Sequence, residues 1–249
     1  MTDRRVALLT GVGRAGGIAH GIAPALAADG WDLALVGSAA YDAGAGYGGQ
    51  AGDVDALVAE VAAAGGQAIR TDADLADPTV PARLVAETIA ALGRLDALVL
   101  SHSQSTDSSI LDTTVESWDR HVAVNARAAW LLIRAFAESE PVDGRIVAFT
   151  SDDVVHNLPY GASKGALDRI VRAAAGELGS RGIVANLVNP GPVDTGWMDD
   201  TTRAALTARQ PTGRLGTPRD AARLVRFLLS PEGGWITGQL LTSDGGFSI

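Results

Sequence analysis

Val6-Ala-Leu-Leu-Thr10-Gly-Val-Gly-Arg-Ala-Gly-Gly-Ile-Ala19 is the stretch on which the reading of this chain turns. An apolar run of strand length feeds a glycine-rich turn, and an alanine-rich helix follows to about Ala28. That order is the setting in which such a turn holds a dinucleotide. Glycines let the backbone approach a pyrophosphate with no Cβ in the way, and the start of the helix offers free N–H groups and a favourable dipole to the anion.

The same alternation runs on. Buried strands are expected at Trp31–Gly37, Gln67–Thr71, Leu95–Leu100, Arg145–Thr150, Val184–Asn189 and Gln239–Thr242, with helical spacing over 54–64, 81–92, 116–138 and from about Pro159. Strands alternating with helices predict an α/β, Rossmann-type, doubly wound parallel sheet of about seven strands, covered on both faces by right-handed crossovers. The glycine-rich segment 39–52 has no period and reads as a surface loop, a flap over the adenosine end of the turn. A variable stretch at about 195–215, with Trp197 and Met198 as an apolar wall, reads as a substrate lid; the competing expectation is an amphipathic helix with Trp197 packed inward.

Composition bounds what such a domain does. At 249 residues the chain exceeds the length of about 150 residues usual for one domain, but no linker divides it, so residues 1–249 are read as one unit. No charge-free apolar run approaches the roughly 20 residues that span a bilayer, and Met1-Thr-Asp-Arg-Arg5 leads straight into the first strand, so no membrane segment or signal peptide is expected and the protein is read as soluble and cytoplasmic. The absence of cysteine excludes disulfides and thiolate catalysis, and four scattered histidines give no metal signature. A net charge of −9 argues against a nucleic-acid surface, leaving small molecules or other proteins as partners.

Candidate chemistry sits at Ser151-Asp-Asp-Val-Val-His-Asn-Leu-Pro-Tyr-Gly-Ala-Ser-Lys164, between the fifth strand and the helix after it. Tyr160 and Lys164 are four apart and share a helix face, so an ammonium can lie beside a phenol and lower its pKa from the usual value of about 10. Ser151 adds a hydroxyl able to hold a carbonyl oxygen. At the cofactor end, an acid closing the second strand would bind a ribose 2′-hydroxyl and mark NAD, but Val36, Gly37 and Ser38 offer none. Arg14 can meet a 2′-phosphate instead, which favours NADP(H) over NAD(H); Asp42, folding back, would favour NAD(H).

With these landmarks in order, the chain resembles the short-chain dehydrogenase/reductase family from Val6 to Gly246, with a likeness to its 3-oxoacyl-acyl-carrier-protein reductases. Thr10-Gly11 with Gly17-Ile18 is similar to the family's cofactor turn, Asp74-Leu75 to its adenine contact, and Asn125 with Ser151, Tyr160 and Lys164 to its catalytic set. Asn186-Leu-Val-Asn-Pro190-Gly191-Pro-Val193-Asp-Thr195 is similar to the segment that closes on the nicotinamide, with Val193 and Thr195 near its carboxamide. The resemblance implies a carbonyl or alcohol substrate, possession of a tyrosine general acid/base, a lysine that lowers its pKa and holds the nicotinamide ribose, and an Asn125 that binds a water joining Lys164 to solvent. It also implies a homodimer or homotetramer, formed through helices whose faces carry Ala126, Ala129, Trp130, Ile133, Leu167, Ile170 and Val171.

Departures open two alternatives. The stretched glycine turn, with Ala19 in place of the last glycine, is similar to the enoyl-thioester reductase branch, although that branch spaces its tyrosine and lysine more widely. Leu100-Ser101-His-Ser103 stands where the family has Asn-Asn-Ala-Gly, so Ser101 and Ser103 are expected to supply the missing hydrogen bonds. A catalytically silent nucleotide-binding protein of the same fold is the other alternative.

Overall fold

The computed structural model describes residues 4–44, 49–50 and 52–249. Seven strands, β1 (Arg5–Thr10), β2 (Trp31–Gly37), β3 (Ala68–Asp72), β4 (Ala97–Leu100), β5 (Arg145–Phe149), β6 (Val184–Asn189) and β7 (Leu240–Thr242), form one parallel sheet in the order β3-β2-β1-β4-β5-β6-β7. Each expected strand lies within two residues of its observed bounds.

Strand periodicity builds two cores from the same residues. Along β1, Val6 and Leu8 point to one face and Ala7 and Leu9 to the other. The first face packs on α4 (Val80–Leu92), α6 (Ala128–Glu138) and α7 (Leu158–Leu178), through Leu84, Leu132, Phe136 and Leu167. The second packs on α1 (Ile18–Ala28), α3 (Asp53–Ala63) and α9 (Pro218–Leu229), through Ile22, Leu26, Leu57 and Val225. Buried on both faces, the strands need the near-continuous apolar runs that the sequence supplies.

Three expectations change. The segment after β2 is not wholly a loop: Ala39–Gly44 forms a short helix, α2, held by Ala39 N donating to Asp72 Oδ1 (2.8 Å) and Asp42 N to Ser38 O (3.0 Å). Residues 45–48 and 51 of the expected flap lie outside the described residues. The long helix from residue 116 is α5 (Val115–His121) joined to α6 through a π-helical turn, Val122–Arg127. In the lid, α8 (Asp200–Arg209) has no buried residue; Met198 is buried, while Trp197 remains 47% exposed instead of packing inward. Ala204, Ala205, Leu206 and Ala208 of this helix are themselves left unburied, so it offers no core for the tryptophan to enter.

Candidate active site

The connections leave β1 and β4 in opposite directions, and a groove opens at their C-terminal ends, as such a switch point requires. Of the residues expected to bind a cofactor, Gly11, Arg14, Ser38, Asp74, Leu75 and Ser101 line it together. Gly17 is the N-cap of α1 and Ile18 its first residue; that helix start has no capping side chain and no acid in its first turn. By contrast, α9 is closed by a reciprocal Thr217–Asp220 capping box. The α1 donors are thus left for an anion from outside, and the residues fit a dinucleotide pyrophosphate. Pro190, Gly191, Val193 and Thr195 follow β6 and are not part of the groove lining. Thr195 nevertheless reaches the turn: a Cβ on Gly16 would lie 3.1 Å from its carbonyl oxygen.

At the far end Asp74 accepts from Arg120 Nη1 (2.8 Å) and Ala76 N (2.9 Å), and the Arg120 bond holds its carboxyl below the usual carboxylate range. Arg120, delivered by α5, also lines the groove.

The expected catalytic residues converge where β5 meets α7. Tyr160 is in the first turn of α7, with the hydroxyls of Ser151 and Ser103 near enough to its phenol to favour the phenolate. Lys164, one turn on, is buried; its Nζ donates to Phe149 O (2.9 Å) and lies 5.7 Å from the centre of the Tyr160 ring. Burial pulls the Lys164 pKa from 10.5 to about 8, against the opposing pull of Asp168. The tyrosine does not follow the expected shift. Burial raises its pKa, Asp153 and Asp152 push the same way, and the hydroxyls of Ser151 and Ser103 only oppose this. The lysine is spent on the Phe149 carbonyl and is itself dehydrated, so it does not stabilise the phenolate in this state.

Asn125 is placed in the π-helical turn, a distortion common at functional sites. Its side chain is held by protein partners on both sides. Oδ1 accepts from Gln104 N (2.7 Å), and Nδ2 donates to Gln104 O (2.9 Å) and Ser163 Oγ (2.9 Å). It therefore clamps the segment after β4 against α7.

His102 anchors the same segment from below. Its Nε2 lies 3.0 Å from Val124 O and its Nδ1 2.6 Å from Thr10 Oγ1. A carbonyl only accepts, so Nε2 carries the proton and Nδ1 accepts from the threonine. Burial first, and Lys164 second, push the imidazole pKa down to about 3, which keeps it neutral. Ser101 Oγ donates to Thr10 O (2.6 Å), so both β1 and β4 ends are tied. Ser101 and Ser103 thus do make hydrogen bonds here; Ser103 Oγ donates to Gln104 O (3.3 Å) and to Asn125 Oδ1 (3.5 Å). Gln104 and Arg120 were not among the expected site residues, and Ser103 was expected only as a source of the hydrogen bonds missing at the end of β4.

A parallel sheet split at this point, with a glycine turn in the groove and a Ser/Tyr/Lys set where β5 meets α7, is the arrangement of a dinucleotide-binding oxidoreductase. Comparison with known proteins narrows the class. A family model described as Enoyl-(Acyl carrier protein) reductase matches residues 11–248. The chain is 35% identical to a short-chain dehydrogenase/reductase, eriH, of Hericium erinaceus, over 99% of this chain and 98% of that one. It is 30% identical to a 3-oxoacyl-[acyl-carrier-protein] reductase of Synechocystis, over 97% and 96%. The crystal structure of a short chain dehydrogenase from Burkholderia cenocepacia in complex with NADP superposes with a TM-score of 0.87 at 35% identity, covering 99% of this chain and 98% of that one. The chain belongs to the short-chain dehydrogenase/reductase family.

Proposed function

We propose that this oxidoreductase is NADP(H)-dependent and interconverts a carbonyl and an alcohol, with Tyr160 as the general acid/base. The observation that carries the reading is Tyr160 one helical turn from a buried Lys164, whose Nζ lies 5.7 Å from the centre of the phenol ring. The bound nicotinamide would supply hydride to the carbonyl carbon. Tyr160 would give its proton to the carbonyl oxygen, and Ser151 would donate a hydrogen bond to that same oxygen as negative charge develops on it. Lys164, with a pKa of about 8, would be mostly protonated near neutrality and would hold ribose hydroxyls. Asn125 would keep the Ser103–Gln104 segment in register with the tyrosine.

Tyr160→Phe is expected to abolish turnover while preserving cofactor binding, read by nicotinamide fluorescence; substantial residual turnover would remove the acid/base role. Arg14 and the Burkholderia neighbour's bound NADP support the phosphorylated cofactor. A 3-oxoacyl thioester is the substrate class favoured by the Synechocystis relative and by the close spacing of Tyr160 and Lys164. The enoyl reading is supported by the stretched turn and by the description of the matching family model. Parallel assays with 3-oxoacyl and 2-enoyl thioesters separate the two. Val115, Trp118 and Trp130, exposed on α5 and α6, support a homodimer or homotetramer. By contrast Ala129, Ile133, Leu167 and Val171 are spent on the core.

A further inference from the structure

Lys164 is the only lysine in the chain; every other long basic side chain is an arginine. The distinction matters in a dry site. A guanidinium keeps its proton wherever it lies, whereas an ammonium gives its proton up when burial makes charge costly. Lys164 is 3% exposed, and its acceptor among the described residues is the Phe149 carbonyl, which carries no net charge. Its ammonium therefore needs a counter-charge from within the fold to stay protonated where the reaction runs.

The same helix supplies one a turn further on. Asp168 follows Lys164 by four residues, the spacing that puts two side chains on one helix face. Its Oδ1 accepts from Thr150 Oγ1 (2.5 Å), and Thr150, 4% exposed, directly follows the Phe149 whose carbonyl accepts from the lysine. The threonine hydroxyl also lies 3.5 Å from Lys164 O. One buried threonine thus ties the carboxylate to the strand end that receives the ammonium, and a carboxylate so held does not swing out to water. The other titratable groups that face Lys164 bring it no negative charge. Tyr160, from the first turn of α7, is a phenol whose pKa burial raises, so it is neutral near pH 7. His102, from the segment after β4, is a neutral imidazole with a pKa of about 3, brought down first by burial and then by Lys164 itself. Asp153 and Asp152, on the loop after β5, act on the phenol, while Asp168 acts on the ammonium and opposes the loss of its proton.

We propose that Asp168, fixed by the Thr150 hydroxyl, is a positioning residue for the reaction: its carboxylate is the internal counter-ion that keeps Lys164 an ammonium beside Tyr160. The proposal rests on the catalytic reading of Lys164, in which the ammonium holds the ribose hydroxyls. Without the carboxylate, the dehydrated amine would be neutral over part of the range in which the wild type is charged, and it would lose its charge and one of its donors there.

A single lysine makes the test direct. The full chain, produced with lysine isotope-labelled at Cε, gives one lysine signal in nuclear magnetic resonance, and its movement with pH reports the charge of Lys164 with no cofactor present. The wild-type midpoint is expected at about pH 8; a midpoint near 10.5 would overturn the proposal, since an amine in water needs no counter-ion. Asp168→Asn, which keeps the shape and removes the charge, is expected to move the midpoint down by about one pH unit. Thr150→Val, which releases the carboxylate but leaves it charged, is expected to move it down by less. An unmoved midpoint in Asp168→Asn would sink the idea. So would an upward move, because losing a mere tether between β5 and α7 would let water reach the amine and return it toward 10.5. If Asp168→Asn does not fold, Thr150→Val decides alone, and a midpoint at or above that of the wild type overturns the proposal. NADPH titrations at about pH 6 and about pH 8 separate the proposal from the reading beneath it: Asp168→Asn is expected to match the wild type at the lower pH and to bind about three-fold or more weakly at the higher. A midpoint that falls as expected while NADPH affinity stays unchanged would uphold Asp168 as the counter-ion and end the reading of Lys164 as the holder of the ribose.

Discussion

Lys164 shows function and stability pulling apart at one residue. Its ammonium is dehydrated, with a pKa of about 8 against 10.5 when exposed, so between those values the unfolded chain holds more protons than the folded one. Stability conferred through this residue therefore rises with pH across that window, with a slope of at most about 1.4 kcal/mol per pH unit; below about 8 the full cost of the buried charge is present. Lys164→Met is expected to abolish turnover and yet to stabilise the protein at neutral pH by about 1–3 kcal/mol. Urea unfolding of both proteins at about pH 7 and about pH 10 checks this: the gap between them should shrink as pH rises. A variant less stable than wild type at neutral pH would show that the Phe149 bond outweighs the buried charge. The identity of this lysine was legible in the sequence, from its spacing to Tyr160. Its dehydration was not, because the carbonyl that accepts its hydrogen bond comes from β5 and the residues that exclude water come from several elements.

At the scale of elements, the contact between α1 and α9 decides how the second core closes. Gly21 sits in mid-helix, where glycine is intrinsically unfavourable, and a Cβ there would lie 2.4 Å from the Pro218 carbonyl carbon. Helix propensity favours alanine and the close approach forbids it. Gly21→Ala is expected to cost about 1–3 kcal/mol, since the backbone of α9 must shift while its Thr217–Asp220 cap holds its start. Chemical denaturation measures this, and a neutral or stabilising result would show that α9 moves freely. Elements were the most legible level of this chain: strand bounds came out within two residues, because near-continuous apolar runs and glycine punctuation are local properties. The π-helical turn at Val122–Arg127 and the helix at Ala39–Gly44 were not legible. The first resembles an α-helix in its pattern, and the second is held by Asp72, from another strand.

For the whole molecule, Val115, Trp118 and Trp130 leave apolar surface on α5 and α6 that the fold does not cover. Sedimentation at micromolar concentration is expected to give two or four times the chain mass of 25.5 kDa, and Trp130→Glu is expected to lower the assembly state without changing the monomer's far-ultraviolet spectrum. A wild-type protein that sediments as a monomer would refute the assembly. By itself the sequence determined the class of fold, the places of its strands along the chain and the place of the glycine turn, since each of these is written in apolar runs, turn chemistry and spacing, and it nominated Asn125, Ser151, Tyr160 and Lys164 as candidates. Only the tertiary structure decided that Asn125 clamps Gln104, that burial raises the phenol's pKa, and that Asp42 lies on Gly13 beside Arg14. Those are meetings between segments that leave the ends of different strands, and their energies depend on how much water the closed fold excludes from them.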